Sequence, residues 1–203
     1  MSALAEMAHR LMPSITQRYD SSDERKFDLD TVKLLHDKEA PRGERRAKVR
    51  SWLYGYSVLR GIRSETVEKI VNAVLEYADG PRPVSLGSNQ ADIAREFFAL
   101  QALLAPPLGN RNSDSLTSKA LWLCYPDDVP ILDGYAERTL QVICRMHGIA
   151  IVVDPNNYRR FLDAWFSVYE ECKEALDTTS MQYPFRVRLL DWLLWYLGQP
   201  NFD

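Results

Sequence analysis

Apolar residues return at helical spacing through most of the chain, and strand-like alternation hardly occurs. Val67, Ile70, Val71, Val74 and Leu75 make the clearest stripe; with Ser64 as a cap and Asp79-Gly80-Pro81 as a stop, they predict a helix over 65–77. Leu4, Met7, Ala8 and Leu11 predict a short first helix ending before Pro13, followed by a polar loop over 19–26. Further helices are expected over 29–37 and over 45–59, the latter with Val49, Leu53 and Tyr56 turned inward, and from Ser88 or Asn89 through Leu103. Pro41-Arg42-Gly43 and Pro106-Pro107 break the pattern around these segments.

The second half begins with a helix that Ser115 can cap, carrying Lys119 in its first turns and the apolar run Ala120 to Cys124. Tyr125-Pro126-Asp127-Asp128 ends it, residues 130–132 read as extended, and Asp133 is placed to cap a helix running to about Met146, which Gly148 ends. Residues 149–153 are β-branched, but without a second clear strand they read as a buried extended connection. Two last helices are expected, from Asp154-Pro155 through about Leu176 and from Pro184 through Leu197. The pattern is therefore all-α: one helical-bundle domain over 1–203, with the Pro81 to Ser88 stretch as the boundary between two lobes if there are two.

Composition adds bounds. At 203 residues and 46% hydrophobic the chain can bury a substantial core. A net charge of −3 argues against coating nucleic acid through overall charge, although a local basic face can still bind DNA. No apolar run approaches the roughly 20 residues of a membrane span, and the opening residues lack a basic region followed by a long hydrophobic one. A soluble, cytoplasmic protein with no membrane partner is expected. Cys124, Cys144 and Cys172 are widely spaced in helical segments, which suits buried small hydrophobes better than disulfides. His9, His36 and His147 are scattered, so no metal site and no cofactor is expected. A metal-dependent nuclease using Asp127, Asp128 and Asp133 is the weaker idea, because those residues suit a turn and a cap.

Lys119 is the chemically distinctive residue. Near a helix N-terminus and among apolar neighbours, both the macrodipole and burial push an amine toward its neutral, nucleophilic form. The alternative is a lysine whose stem lies on apolar surface with its ammonium in water, and an Asp133 that only caps. Arg45, Arg46 and Arg50 lie in a basic run that can hold phosphates or can be a solvated helix surface balanced by acids such as Glu39. Arg111, in the polar loop ahead of the Lys119 helix, can hold a phosphate or simply belong to a capping turn. Trp122, Tyr125, Tyr135, Trp192 and Trp195 offer aromatic surfaces of the kind that hold a flipped base, or else core. Arg188, Asp191 and Trp195 can interact along the last helix, and Asp191 can accept from an indole or pair with Lys119, which would keep the lysine charged and structural.

Ser118-Lys119, the hydrophobic helix, Tyr125-Pro126 and Pro130-Ile131-x-Asp133 together resemble a bacterial group of helical proteins with an 8-oxoguanine DNA glycosylase-like fold, distant relatives of the helix-hairpin-helix DNA glycosylases. Arg188 to Gly198, with its arginine, aspartate and Leu-Trp pair, resembles the closing helix of that group. The resemblance implies that Lys119 attacks the anomeric carbon of a damaged nucleotide and that Asp133 supports departure of the base. Arg111, Trp122, Tyr125, Tyr135, Arg188, Asp191 and Trp195 are then the substrate-side candidates. The glycine-rich Leu-Pro-Gly-x-Gly hairpin of the parent superfamily is not in the sequence, and Leu108 to Ser113 is the nearest stretch. Two functions are therefore carried forward: a glycosylase/lyase acting on DNA, and a non-catalytic helical module of a bacterial defence or stress system that binds a protein or nucleic acid.

Overall fold

A computed structural model of the chain describes residues 2–20, 23–109, 111, 113–148, 157–179 and 185–199. Every regular element among them is an α-helix, as the helical period predicts: α1 (Ala3–Asp20), α2 (Asp23–His36), α3 (Arg42–Gly55), α4 (Ser64–Asp79), α5 (Gln90–Leu108), α6 (Asp114–Cys124), α7 (Gly134–Met146), α8 (Tyr158–Thr179) and α9 (Arg186–Leu197). They form two compact units. One contains residues 1–22 and 129–203, the other residues 23–128.

In the first unit, α1 buries Leu4, Ala8, Met12, Ile15 and Tyr19 and packs on α8 and α9. Pro13 lies inside this helix, so the expected break there does not occur. Proline removes one backbone donor and crowds the turn before it, but Pro13 is on the exposed side. Thr16 Oγ1 caps carbonyls in that turn, donating to Met12 O at 2.8 Å and Pro13 O at 3.0 Å. Burial of Met12 and Ile15 on either side keeps the helix running. The expected loop over 19–26 is likewise mostly helix, its two ends belonging to α1 and α2.

α7 and α9 approach closely at Gly198, where an added Cβ would lie 2.6 Å from Tyr135 O and 2.7 Å from Thr139 Oγ1. Thr139 Oγ1 donates to Leu194 O at 2.8 Å and lies 3.0 Å from Tyr135 O, joining the two helices. The expected connection at 149–153, the Asp154-Pro155 helix start and Pro184 lie outside the described residues.

The second unit holds α2 to α6. The α4 stripe is as expected, with Val67, Ile70, Val71, Val74 and Leu75 all buried, but Ser64 is the first helical residue and Arg63 the N-cap. Asn89 caps α5 through Oδ1, which accepts from Ala91 N at 3.1 Å and Asp92 N at 3.3 Å. α5 runs past Leu103 through Pro106 and Pro107 and stops at left-handed Gly109 (φ 60°). Prolines in a last turn remove donors from one turn only, and the buried Leu104 and Leu108 hold that turn against the unit.

Residues 81–88, expected between lobes, lie inside this unit. Asp128 Oδ2 accepts from Leu86 N at 2.7 Å and Ser85 Oγ at 2.9 Å, and Arg82 Nη1 donates to Cys124 O at 3.2 Å. The chain divides instead at 22/23 and 128/129. Cys124, Cys144 and Cys172 are free and buried. Among the described residues, no helix is long and apolar enough to cross a membrane.

Candidate functional site

α6 is buried from Leu116 to Cys124 around its whole circumference, which marks a core helix rather than an amphipathic surface one. Its N-cap is Ser113, so Ser115, the expected cap, sits in the first turn. There Ser115 Oγ accepts from Lys119 Nζ at 3.0 Å, one turn along the helix, and Lys119 is 6% exposed. The side chain therefore lies buried, as the sequence reading required of a nucleophile.

Its aromatic neighbours on the same unit behave differently. Trp122 is fully buried and stacks on Trp52, with ring centroids 5.6 Å apart and planes 9° apart. Trp52 Nε1 and Tyr56 Oη each donate to Asp28 Oδ1 at 2.8 Å, fixing the other side of that stack. Tyr125 is 2% exposed beneath the Arg82 guanidinium, 4.9 Å from the ring centroid, and burial raises its phenol. Both residues are thus built into the core of the 23–128 unit. Arg111 is exposed, while its neighbours Asn110 and Asn112 lie outside the described residues. Asp114, at the start of α6, accepts from Gln101 Nε2 at 2.6 Å, and burial pushes its carboxyl up.

The expected basic face is divided. Arg45 is 5% exposed and points inward, donating to Leu35 O at 2.9 Å and to Asp79 Oδ1 at 2.5 Å. Arg46 and Arg50 both pair with Glu68, Arg50 at 2.9 Å. Two partly exposed cations share one carboxylate, and the third neutralises a different one.

The other half of the sequence motif belongs to the 1–22/129–203 unit, so Lys119 and Asp133 are contributed by different units. Asp133 has extended backbone (φ −139°, ψ 163°), and its Oδ1 accepts from Tyr135 N and Ala136 N, each at 2.9 Å. It is the N-cap the sequence suggested. The segment leading to it is buried at Val129, Ile131 and Leu132. That segment is tied to its unit by Tyr158 Oη, which donates to Pro130 O at 3.2 Å, and by Ile131 N, which donates to Asp191 Oδ2 at 2.9 Å.

Asp191 is 3% exposed, and its Oδ1 accepts from Trp165 Nε1 at 2.9 Å. The indole partner is therefore on α8, not the Trp195 that sequence spacing suggested. Burial pushes the Asp191 carboxyl up to about 8, opposed by Arg188 and by the two N–H donors and assisted by Asp133. With one internal N–H on each oxygen, this residue is structural in its described contacts and not turned toward a ligand.

Tyr135, Trp192 and Trp195 are half-buried and meet edge to face. The Tyr135–Trp195 centroids are 6.2 Å apart at 82°, and those of Trp192–Trp195 are 5.4 Å apart at 78°. Arg188 lies over Trp192 at 5.3 Å, although Arg188 itself is 5% exposed. The exposed Arg138, which the sequence reading missed, lies over Tyr135 at 4.8 Å; its position one helical turn after Tyr135 was the available signal. No group of histidine, cysteine, aspartate and glutamate side chains suited to a metal ion occurs among the described residues. Compared with protein-family models, with curated proteins and with solved structures, the chain matches none.

Proposed function

We propose that the chain is a DNA glycosylase/lyase-like protein that acts on a modified base through the amine of Lys119. The observation supporting this reading is the burial of Lys119 in the first turns of a core helix, with Nζ held 3.0 Å from Ser115 Oγ. A confined amine of this kind serves as a Schiff-base nucleophile.

In this reading, neutral Nζ bonds C1′ of the damaged nucleotide as the C1′–N bond to the base breaks. The electron pair leaves with the base, and the proton lost from Nζ balances the one the base gains. Breaking of the C1′–O4′ bond, with O4′ keeping the electron pair and taking a proton from water, gives a protonated iminium; loss of a C2′ proton to water then expels the 3′ phosphate with the C3′–O electron pair. Asp133, which caps α7 in the other unit, is the residue to which the resemblance gives the charge-stabilising role. Tyr135, Trp192 and Trp195, with Arg138 beside them, are the aromatic and cationic groups that suit an unstacked nucleobase.

The non-catalytic binding module is favoured by a separate observation. Trp122 and Tyr125, expected to face substrate, are core residues, and Arg46 and Arg50, expected to hold phosphates, already share Glu68, so all four have partners within the unit.

Borohydride trapping separates the two. Purified protein is incubated with duplex and single-stranded oligonucleotides carrying 8-oxoguanine or an abasic site, with folded Lys119→Ala as control. A covalent adduct formed by the wild type and lost in the variant supports the amine mechanism. Absence of an adduct on every substrate puts the binding module in its place.

A further inference from the structure

We propose that Asp191 is a positioning residue: through the Ile131 amide it fixes the 130–133 segment and so sets the backbone of the Asp133 cap at the start of α7. The inference concerns the first unit alone, and it rests on the Lys119 reading only for the chemical importance of Asp133.

Three observations lead to it. Asp191 is an acid in the middle of α9, a helix whose neighbouring positions Val187, Leu189, Leu190, Leu193 and Leu194 are buried hydrophobes. An ionisable group is costly in such a place unless each oxygen has a donor. Both donors come from outside its own helix: Trp165 Nε1 from α8 and Ile131 N from the segment before α7, each at 2.9 Å. The Asp191 carboxyl group is therefore a three-way fastening of α8, α9 and the strap that carries Asp133.

The strap is held partly by groups from outside its own stretch of chain. Residues 129–133 form no helix, so their backbone groups need partners elsewhere. Those described include Tyr158 Oη on Pro130 O, Asp191 Oδ2 on Ile131 N and, at the helix start itself, Glu137 N on Asp133 O at 2.9 Å. Two residues after Ile131, Asp133 must present Oδ1 to two amides at once, each at 2.9 Å. A shift of the strap by a fraction of an ångström lengthens both of those bonds. The charged and titratable groups facing Asp191 are Arg188 on its own helix, Tyr158 on α8 and Asp133 itself. Arg188 favours the anion, while burial and Asp133 oppose it.

The test is amide hydrogen exchange on the full chain, followed by NMR in the wild type and in Asp191→Asn, whose side chain places an NH2 group against one of the two donors. Exchange at Tyr135 and Ala136 should accelerate at least tenfold, while amides in the middle of α8 stay within threefold of wild type. A second variant removes the donor instead of the acceptor: Ile131 replaced by its α-hydroxy acid, which has an ester oxygen where the N–H was, should give the same local pattern. Unchanged exchange at Tyr135 and Ala136 overturns the proposal. So does equal acceleration throughout the unit, or loss of folding in both variants, since either makes Asp191 a general stabiliser.

The activity arm separates this inference from the function it rests on. If the wild type forms the borohydride adduct, Asp191→Asn should lower the rate of base release at saturating oligonucleotide at least tenfold with KM within threefold, and an unchanged rate overturns the positioning role in catalysis. If the wild type forms no adduct, the Lys119 reading fails, and the exchange data still decide whether Asp191 sets the cap.

Discussion

Trp122 lies flat against Trp52, planes 9° apart and centroids 5.6 Å apart, with both indoles sealed in the core of the 23–128 unit. A tryptophan so placed is a packing element, whatever its nearness in sequence to Lys119. Trp122→Ala should destabilise the fold by about 3–5 kcal/mol, the range for removing a large buried aromatic. Urea unfolding followed by circular dichroism checks this; a variant that keeps wild-type stability while losing DNA affinity would contradict it.

The three arginines of the basic run should separate in the same assay. Arg45→Ala removes a buried guanidinium from Leu35 O and Asp79, leaving Asp79 only the more distant Arg42 at 3.9 Å, and should cost about 1.5–3 kcal/mol. Arg46→Ala and Arg50→Ala remove exposed partners of Glu68, and each should cost about 1 kcal/mol or less. If the run also meets DNA phosphates, only the last two should reduce the salt dependence of binding.

Asp133 has a measurable structural role apart from any chemistry. Asp133→Ala removes the acceptor for two amides at the start of α7 and should cost about 1 kcal/mol, whereas Asp133→Asn, which keeps one oxygen, should cost less. The prediction is checked by chemical denaturation. If the proposed amine chemistry holds, a much slower adduct in folded Asp133→Asn would show a role beyond capping.

His36 makes stability depend on pH. Its Nε2 lies 3.1 Å from Leu123 O, and its pKa is lowered from 6.5, chiefly by burial and further by Arg82 and Arg45, against the opposing pull of that carbonyl. Because the folded state holds the proton less tightly than the unfolded one, the contribution is present above about pH 6.5 and is lost as pH falls through the folded pKa. His36 by itself therefore lowers the melting temperature between about pH 7 and pH 5, against the buried Asp191 carboxyl, whose pKa raised to about 8 favours the folded state as pH falls. The test is the difference between proteins: His36→Gln should lose less stability, or gain more, than the wild type over that range. An identical slope in the variant would assign the effect to other groups.

Gly198 should tolerate no side chain, although its backbone (φ −83°, ψ −4°) suits any residue. A Cβ there meets the Tyr135 carbonyl at 2.6 Å and Thr139 Oγ1 at 2.7 Å, so Gly198→Ala must push α9 from α7. A cost of about 1–3 kcal/mol is expected, read as a lowered melting temperature.

The sequence made the helices legible where the apolar period was strong, as in α4, and where a cap was chemically distinct, as at Asn89 and Asp133. Its errors came from local signals that packing overrode. Pro13 and Pro106-Pro107 are breakers by propensity, yet each lies in a helix whose neighbouring residues are buried. At α6, Ser113 and Ser115 are equivalent caps by residue type, and only the fold distinguishes them. Of the candidate site, burial of Lys119 followed from its apolar flanks. The inward turn of Arg45 did not, because its partner Asp79 lies on another helix. The same holds for Asp191, whose donors Ile131 and Trp165 are distant in sequence and whose nearest indole by helical spacing was the wrong one.

The route of the chain through its two units has a consequence for biogenesis. Residues 23–128 form one uninterrupted stretch, whereas the other unit needs α1 from before it and α7 to α9 from after it. During vectorial synthesis the contiguous unit has all its helices in hand while α1 still lacks α8 and α9, the elements that cover Leu4, Met12 and Ile15. α1 is thus made well before the helices that shelter it. Until α8 and α9 have been made, its apolar side stays open to chaperones, or to aggregation where they are scarce.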